Sequence, residues 1–137
     1  MNMNTFANDN SGIVRRGRPF LKMHGLRNDF VIVDGRDQPY RPTVEEIVHI
    51  CDRRAGIGGD ELLVIEQPAN EPESTDTIAF VRIFNPDGRE VEACGNATRC
   101  VGWLFLQESK LQAVVIDTLG GRLGCRRAGD KRSRQFP

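Results

Sequence analysis

A cysteine followed by Gly-Asn at the mouth of an apolar helix is the arrangement in this sequence best suited to chemistry. It stands in the stretch Asn85-Pro86-Asp87-Gly88-Arg89-Glu90-Val91-Glu92-Ala93-Cys94-Gly95-Asn96-Ala97-Thr98-Arg99-Cys100. Ala97, Cys100, Val101, Leu104 and Phe105 repeat at helical spacing, which puts Cys94-Gly95-Asn96 at the helix entrance. The positive end of the helix dipole favours a thiolate there, so Cys94 is expected to have a lowered pKa and to be usable as a base. The free amides of Gly95, Asn96 and Ala97 form a prepared anion site able to hold a carboxylate, and Gly95 lets a ligand come close. Position alone leaves a second reading open, in which Cys94 is one more small buried apolar residue.

Other candidate residues are less specific. Asn28 and Asn85 lie at the edges of strands, where asparagine is a common turn residue, although amides at such positions also bind the amino and carboxylate groups of an amino acid. Cys51 and Cys100 fall on apolar helical stripes, which assigns them to core packing. His24 and His49 read as structural or solvated. No pair among these histidines and the four cysteines has the short spacing of a zinc site, so no metal is expected. Gly56-Ile57-Gly58-Gly59 lacks a following Lys-Ser/Thr and reads as a tight turn rather than a phosphate cradle.

Composition narrows the function classes. The 137 residues, 39% hydrophobic and 28% charged, suit one globular core. Nineteen Lys+Arg balance nineteen Asp+Glu, which gives no support for nucleic acid or an anionic membrane as partner. No apolar run approaches the roughly 18 residues of a membrane span, and the first residues lack the apolar middle of a secretory signal. Four unevenly spread cysteines argue for reduced thiols, and the expected location is the cytoplasm.

The elements that must position Cys94 can be read in order. Residues 1–18 have little periodicity and read as a mobile leader. Phe30-Val31-Ile32-Val33 is a strand closed by Asp34-Gly35. Thr43-Val44-Glu45-Glu46 is a capping box that starts a helix, with Val44, Ile47, Val48 and Cys51 forming one core-facing stripe. Strands follow at 62–65 and 77–84, separated by a surface loop over 67–76 and followed by the Asn85-Pro86-Asp87-Gly88 turn and a short return to Glu92. Beyond the second helix come the strand Val114-Val115-Ile116, a Gly120-Gly121 turn and a return from Leu123, with a basic, solvated end. The fold class is α+β, with hairpins and two helices.

Four segments together resemble the diaminopimelate epimerase family: Lys22-Met23-His24-Gly25-Leu26-Arg27-Asn28-Asp29-Phe30, Cys51-Asp52-Arg53-Arg54-Ala55-Gly56-Ile57-Gly58-Gly59-Asp60, Phe84-Asn85-Pro86-Asp87-Gly88 and Ala93-Cys94-Gly95-Asn96-Ala97-Thr98-Arg99-Cys100. The resemblance covers about residues 19 to 125. It implies a domain of strands wrapped around a central helix, one of the family's two similar domains, with the active site in the cleft between them. Residues 19–137 correspond to the first domain, and the second is absent from this sequence.

It also implies a reaction without pyridoxal, metal or nucleotide, in which one cysteine removes the α-proton of LL- or meso-diaminopimelate and a second cysteine, from the other domain, returns a proton to the opposite face. Cys94 matches the first-domain catalytic thiol, Gly95 and Asn96 the residues at the reacting amino-acid end, and Asn28 and Asn85 substrate-binding asparagines. Glu61 stands where some relatives have a substrate-contacting Gln, and a carboxylate there would repel the substrate carboxylate. Neither Cys100 nor Cys125 is well placed to replace the missing second cysteine. A non-catalytic fragment or amino-acid-binding module is the competing reading. An apolar face that meets a second domain in the family would be left bare, with self-association as the expected consequence.

Overall fold

The computed structural model describes residues 6–8, 14–25, 27–69, 77–92 and 94–128. Within the first 18, β1 (Phe6–Asn8) and β2 (Val14–Arg16) pair antiparallel in a sheet of their own. The remaining strands, β3 (Leu21–Gly25), β4 (Asn28–Asp34), β5 (Glu61–Glu66), β6 (Thr77–Phe84), β7 (Glu90–Val91), β8 (Ala113–Thr118) and β9 (Gly121–Arg126), form one mixed sheet in the order β3-β4-β5-β6-β8-β9, with β7 also on β6. Helix α1 (Val44–Cys51) connects β4 to its parallel neighbour β5, and α2 (Gly95–Ser109) lies between the parallel pair β6 and β8. Part of the surface loop expected over 67–76 and most of the basic end lie outside the described residues.

Two crossovers explain why the helices flank the sheet. The chain advances across the sheet in the same direction in both, but β6 runs antiparallel to β5, so the second unit is upside down relative to the first. Crossovers of the same hand must then place their helices on opposite faces. Strand alternation agrees: Val31, Val33, Leu62 and Val64 pack with Ile47 and Cys51 of α1, whereas Phe30, Ile32, Leu63 and Ile65 pack with Ala97, Val101 and Phe105 of α2. Central strands covered on both sides therefore read as unbroken apolar runs. Beyond them β6 returns to alternation, its Ala79, Val81 and Ile83 buried against α2.

α2 is the helix around which the sheet curls. It touches β3 at one edge of the sheet and both β8 and β9 at the other. Close approach at the second edge needs Gly102, since a Cβ there would lie 2.8 Å from that of Cys125. α1 covers less. Its capping box forms as expected, with the Glu46 amide donating to Thr43 Oγ1 at 3.2 Å and the Thr43 amide donating to Glu46 Oε2 at 3.3 Å. Its stripe is narrower than the spacing predicts, because Ile47 and Cys51 are buried while Val44 and Val48 are 55% and 45% exposed. A two-turn helix over one strand pair buries only the residues pointing straight at the sheet, and Val44 instead lies beside Gly88 of the Asn85–Gly88 turn.

The end of α1 is tied to the sheet by charge. Arg53 grips Asp29 with two hydrogen bonds, Nη1 to Oδ2 at 2.9 Å and Nη2 to Oδ1 at 2.7 Å, and reaches Asp60 Oδ1 at 3.1 Å. Lys22 adds an ion pair to Asp29 at 2.9 Å, and the Asp29 amide donates to Asp60 Oδ2 at 2.9 Å. The Arg53 guanidinium, with Lys22 and the Asp60 contact adding to it against a smaller cost of burial, holds the Asp29 carboxyl far below the usual carboxylate range.

Replacing Gly102 by Ala should lower stability by about 1–2 kcal/mol in urea melts, the overpacking cost less the gain in helix propensity; Cys125→Ala in the same chain should recover part of the loss. Asp29→Asn should cost about 1–2 kcal/mol at pH 7, because Arg53 is largely solvated and water screens the pair. The depressed Asp29 pKa gives stability that is fully present above about pH 4, where the unfolded carboxyl is also ionised, and is lost as pH falls toward the folded value. Melts of the two proteins should therefore converge on acidification.

Candidate active site

The same end of the sheet brings the expected residues together. β4 and β5 begin there, with Phe30 paired to Glu61, and β6 ends there, with Phe84 paired to Leu62. Asn28 opens β4, Glu61 opens β5, Asn85 follows β6 and Cys94 caps α2, so four residues distant in sequence become neighbours. An open cleft of about 470 Å³ is lined by Asn28, Glu61, Asn85 and Cys94, together with Arg27, Asp60 and Val91.

Local chemistry fixes each position. Asn85 begins a tight turn in which the Gly88 amide donates to its carbonyl at 2.9 Å and its own amide donates to Arg89 at 2.8 Å, and Gly88 takes the positive φ of +90° that the turn demands. Arg27, at φ +75°, makes the turn between β3 and β4 that delivers Asn28. Neighbouring residues on a strand point to opposite faces, so Asp29 turns to the α1 side while Asn28 turns toward α2. In the same way Asp60 meets Arg53, and Glu61 enters the cleft.

Cys94 is the N-cap of α2, in extended backbone at φ −143° and ψ 115°, as the helix-entrance reading requires. Its thiol is half-buried. The expectation of a lowered pKa is overturned. Burial pushes the Cys94 thiol up, and the neighbouring Glu61 carboxylate pushes it further, while the Ala97 and Asn96 amides pull the other way without prevailing. The thiol makes no capping hydrogen bond with its side chain, so those amides favour the thiolate only by facing it. Glu61 itself is 7% exposed and raised above the usual carboxylate range, first by burial and then by the charge of Asp60, with the neighbouring Cys94 thiol opposing the rise.

The helix-start residues divide. Gly95 is exposed, and a Cβ on it would meet nothing within 4 Å, so close packing does not require glycine there. Asn96 belongs to a second, more apolar cleft of about 390 Å³ that it shares with Met23, His24, Gly25, Arg99, Cys100 and Trp103. Cys51 and Cys100 are core residues as expected, and Cys125 is buried in β9. Sequence reasoning passed over Arg27, Asp60 and Val91. Asp60 carried a signal, standing between the glycine turn and an apolar strand, but Arg27 and Val91 reach the cleft only through strand pairing.

Iodoacetamide should alkylate Cys94 before Cys51, Cys100 and Cys125, as read by peptide mass mapping, because Cys94 is half-buried at an open cleft whereas the other three are buried. Its rate should rise with pH to a midpoint above that of a small-molecule thiol. Earlier labelling of Cys51 would overturn this assignment of access.

The model of the family described as diaminopimelate epimerase matches residues 20–133. A diaminopimelate epimerase of Phenylobacterium zucineum is 52% identical over 115 residues, covering 84% of this chain and 39% of that protein. One from a Caulobacter species is 47% identical over 120 residues, covering 83% and 40%. The chain thus spans about 40% of the length of these curated relatives. Among solved structures, a phenazine biosynthesis protein of the PhzF family from Bacillus anthracis superposes with a TM-score of 0.52 at 23% identity, over 77% of this chain and 32% of that one. A PhzF-family protein from Enterococcus faecalis gives 0.53 at 15% identity, over 73% and 34%. These structures share the fold, whereas the sequence match spans the segments that form the cleft, and the chain belongs to the diaminopimelate epimerase family.

Proposed function

We propose that this chain supplies one wall of a cofactor-independent epimerase site that interconverts LL- and meso-diaminopimelate, with Cys94 as the base on one face of the α-carbon. The observation that carries the reading is the convergence of Cys94, Asn28 and Asn85 on one cleft at the N-terminus of α2. Asn28 and Asn85 present amides able to pair with both the ammonium and the carboxylate of an amino acid. The Gly95, Asn96 and Ala97 amides at the helix start are the donors for the carboxylate at the reacting end.

Their dipoles also stabilise the carbanion that forms when the α-proton leaves. Fixed donors do this best once water is excluded. The cleft of this chain is open, and in this reading a second wall closes it and contributes the acid on the other face. That acid is the second cysteine implied by the family resemblance. No metal or organic cofactor takes part, and the protein acts in the cytoplasm. Exposed Trp103, at 50%, lies beside the second cleft and is a candidate for self-association.

Stereoinversion needs a base and an acid on opposite faces of one carbon, and a single thiol serves one face. The 137-residue chain with LL-diaminopimelate in deuterium oxide should therefore yield no meso product. Addition of a separately expressed second domain from a complete relative should yield meso product carrying α-deuterium, and Cys94→Ala should abolish it. Meso product from the chain alone would overturn the one-thiol assignment. Deuterium uptake that survives Cys94→Ala would remove Cys94 from the reaction.

A further inference from the structure

Glu61 is the residue of the cleft whose presence ordinary packing explains least. It is 7% exposed, and among the described residues it makes no ion pair. A buried carboxylate without a cation is costly, so a purely structural role would favour an amide or an apolar side chain at this position. The nearest titratable groups do not relieve the cost. Asp60, just before the strand, adds negative charge. Cys51 of α1 lies near Glu61 and Cys100 of α2 near Cys94, both with thiols pushed up by burial, and Arg27 lines the cleft from the β3–β4 turn. What Glu61 does have beside it is the Cys94 thiol, in the wall of the same cleft, and each group shifts the titration of the other.

We propose that Glu61 is a positioning residue that accepts the proton of Cys94, so that the cleft holds one negative charge throughout the reaction. This rests on the reading of Cys94 as the base. In the resting cleft the thiol donates to the Glu61 carboxylate. In the priming step the S–H bond breaks, an O–H bond forms on Glu61, and the charge moves to sulfur without a proton leaving the cleft. In the next step the thiolate takes the α-proton. The Cα–H bond breaks, the S–H bond forms again, and the electron pair stays on the substrate, with Cys94 and Glu61 both neutral. An amide at position 61 could accept the thiol hydrogen bond but not its proton. The thiol would then have to lose that proton to water, and the cleft would acquire a charge it did not hold before.

The test is the pH profile of Cys94 alkylation by iodoacetamide in the full chain, read by peptide mass mapping, for the wild type and Glu61→Gln. Removing the neighbouring carboxylate should lower the midpoint by about one pH unit. Labelling at pH 7 should rise about threefold, because a less basic thiolate is also a weaker nucleophile. With the second domain added, the same variant should lose about a hundredfold in α-deuterium uptake, as expected when a proton acceptor is deleted. Faster alkylation with slower proton abstraction is a signature that general structural damage, which slows deuterium uptake without moving the midpoint, does not produce.

Should Glu61→Gln fail to fold, the carboxyl ¹³C titration of Glu61 in the wild type decides the matter, because alkylating Cys94 should shift it. Superimposable alkylation profiles, or a Glu61 titration indifferent to alkylation, would overturn the proposal. If neither protein takes up deuterium while the titrations remain coupled, the epimerase reading fails and the thiol–carboxyl pair stands.

Discussion

Asp29 accepts both donors of the Arg53 fork and the Lys22 ammonium, while its own amide donates to Asp60, and the geometry of the cleft depends on that cluster. Its members come from β3, from the start of β4, from the turn after α1 and from the residue before β5. Each of the two aspartates is adjacent in sequence to a cleft residue, Asn28 beside Asp29 and Glu61 beside Asp60. Because alternate strand positions face opposite sides, fixing the aspartates on the α1 side leaves their neighbours no choice but the α2 side, where Cys94 waits. The charge cluster therefore meets the site only through Asp60 and otherwise acts on it through the backbone, and it explains why the glycine turn between α1 and β5 must close so tightly. Gly58, at φ +83°, gives its carbonyl to Lys22 and its amide to Ile50 at 2.8 Å.

Electrostatics within the cleft run against the simplest account of a helix-entrance cysteine. A helix dipole contributes about 0.3–1 kcal/mol to a partly exposed charge, less than one pKa unit. Burial opposes the charged form by up to several units, and a neighbouring carboxylate adds to it. For Cys94 the second set of effects is the larger, so the free thiol is the resting form. The position at the start of α2 still matters. The amides that fail to ionise the thiol in the empty cleft remain aimed at the region where negative charge develops when an α-proton is removed.

Local chemistry was readable wherever a signal is completed within a few residues. The Thr43–Glu46 capping box, the Asn85–Gly88 turn and the helix entrance at Cys94 all depend on neighbours three or four positions away, and each forms as its residues predict. Val44 and Val48 were misread because periodicity gives the apolar face of a helix but not the width of the surface it meets. β3 escaped notice since Leu21 and Met23 alternate with only two polar residues, and pairing with β4 is what makes them a strand. The lowered pKa expected of Cys94 failed for a related reason, as burial and the approach of Glu61 are set by strand register 33 residues upstream.

The two crossovers also determine why chemistry gathers at one end of the sheet. β4 and β5 start at that end, and β6, running the other way, finishes there. A strand start and a strand finish both hand the chain to a turn, so three adjacent strands place irregular backbone and polar side chains side by side, where a sheet interior would place only apolar ones. The short β7 then carries the chain along the edge of β6 and releases it into α2 at the same end, so that Cys94 at the helix N-terminus shares a cleft with the two asparagines. Reversing the hand of the β6–α2–β8 crossover would put α2 on the opposite face of the sheet and so set the sheet between Cys94 and the side chains of Asn28 and Glu61. The order of the strands, and not the packing of the core, is therefore what makes this end of the domain a site.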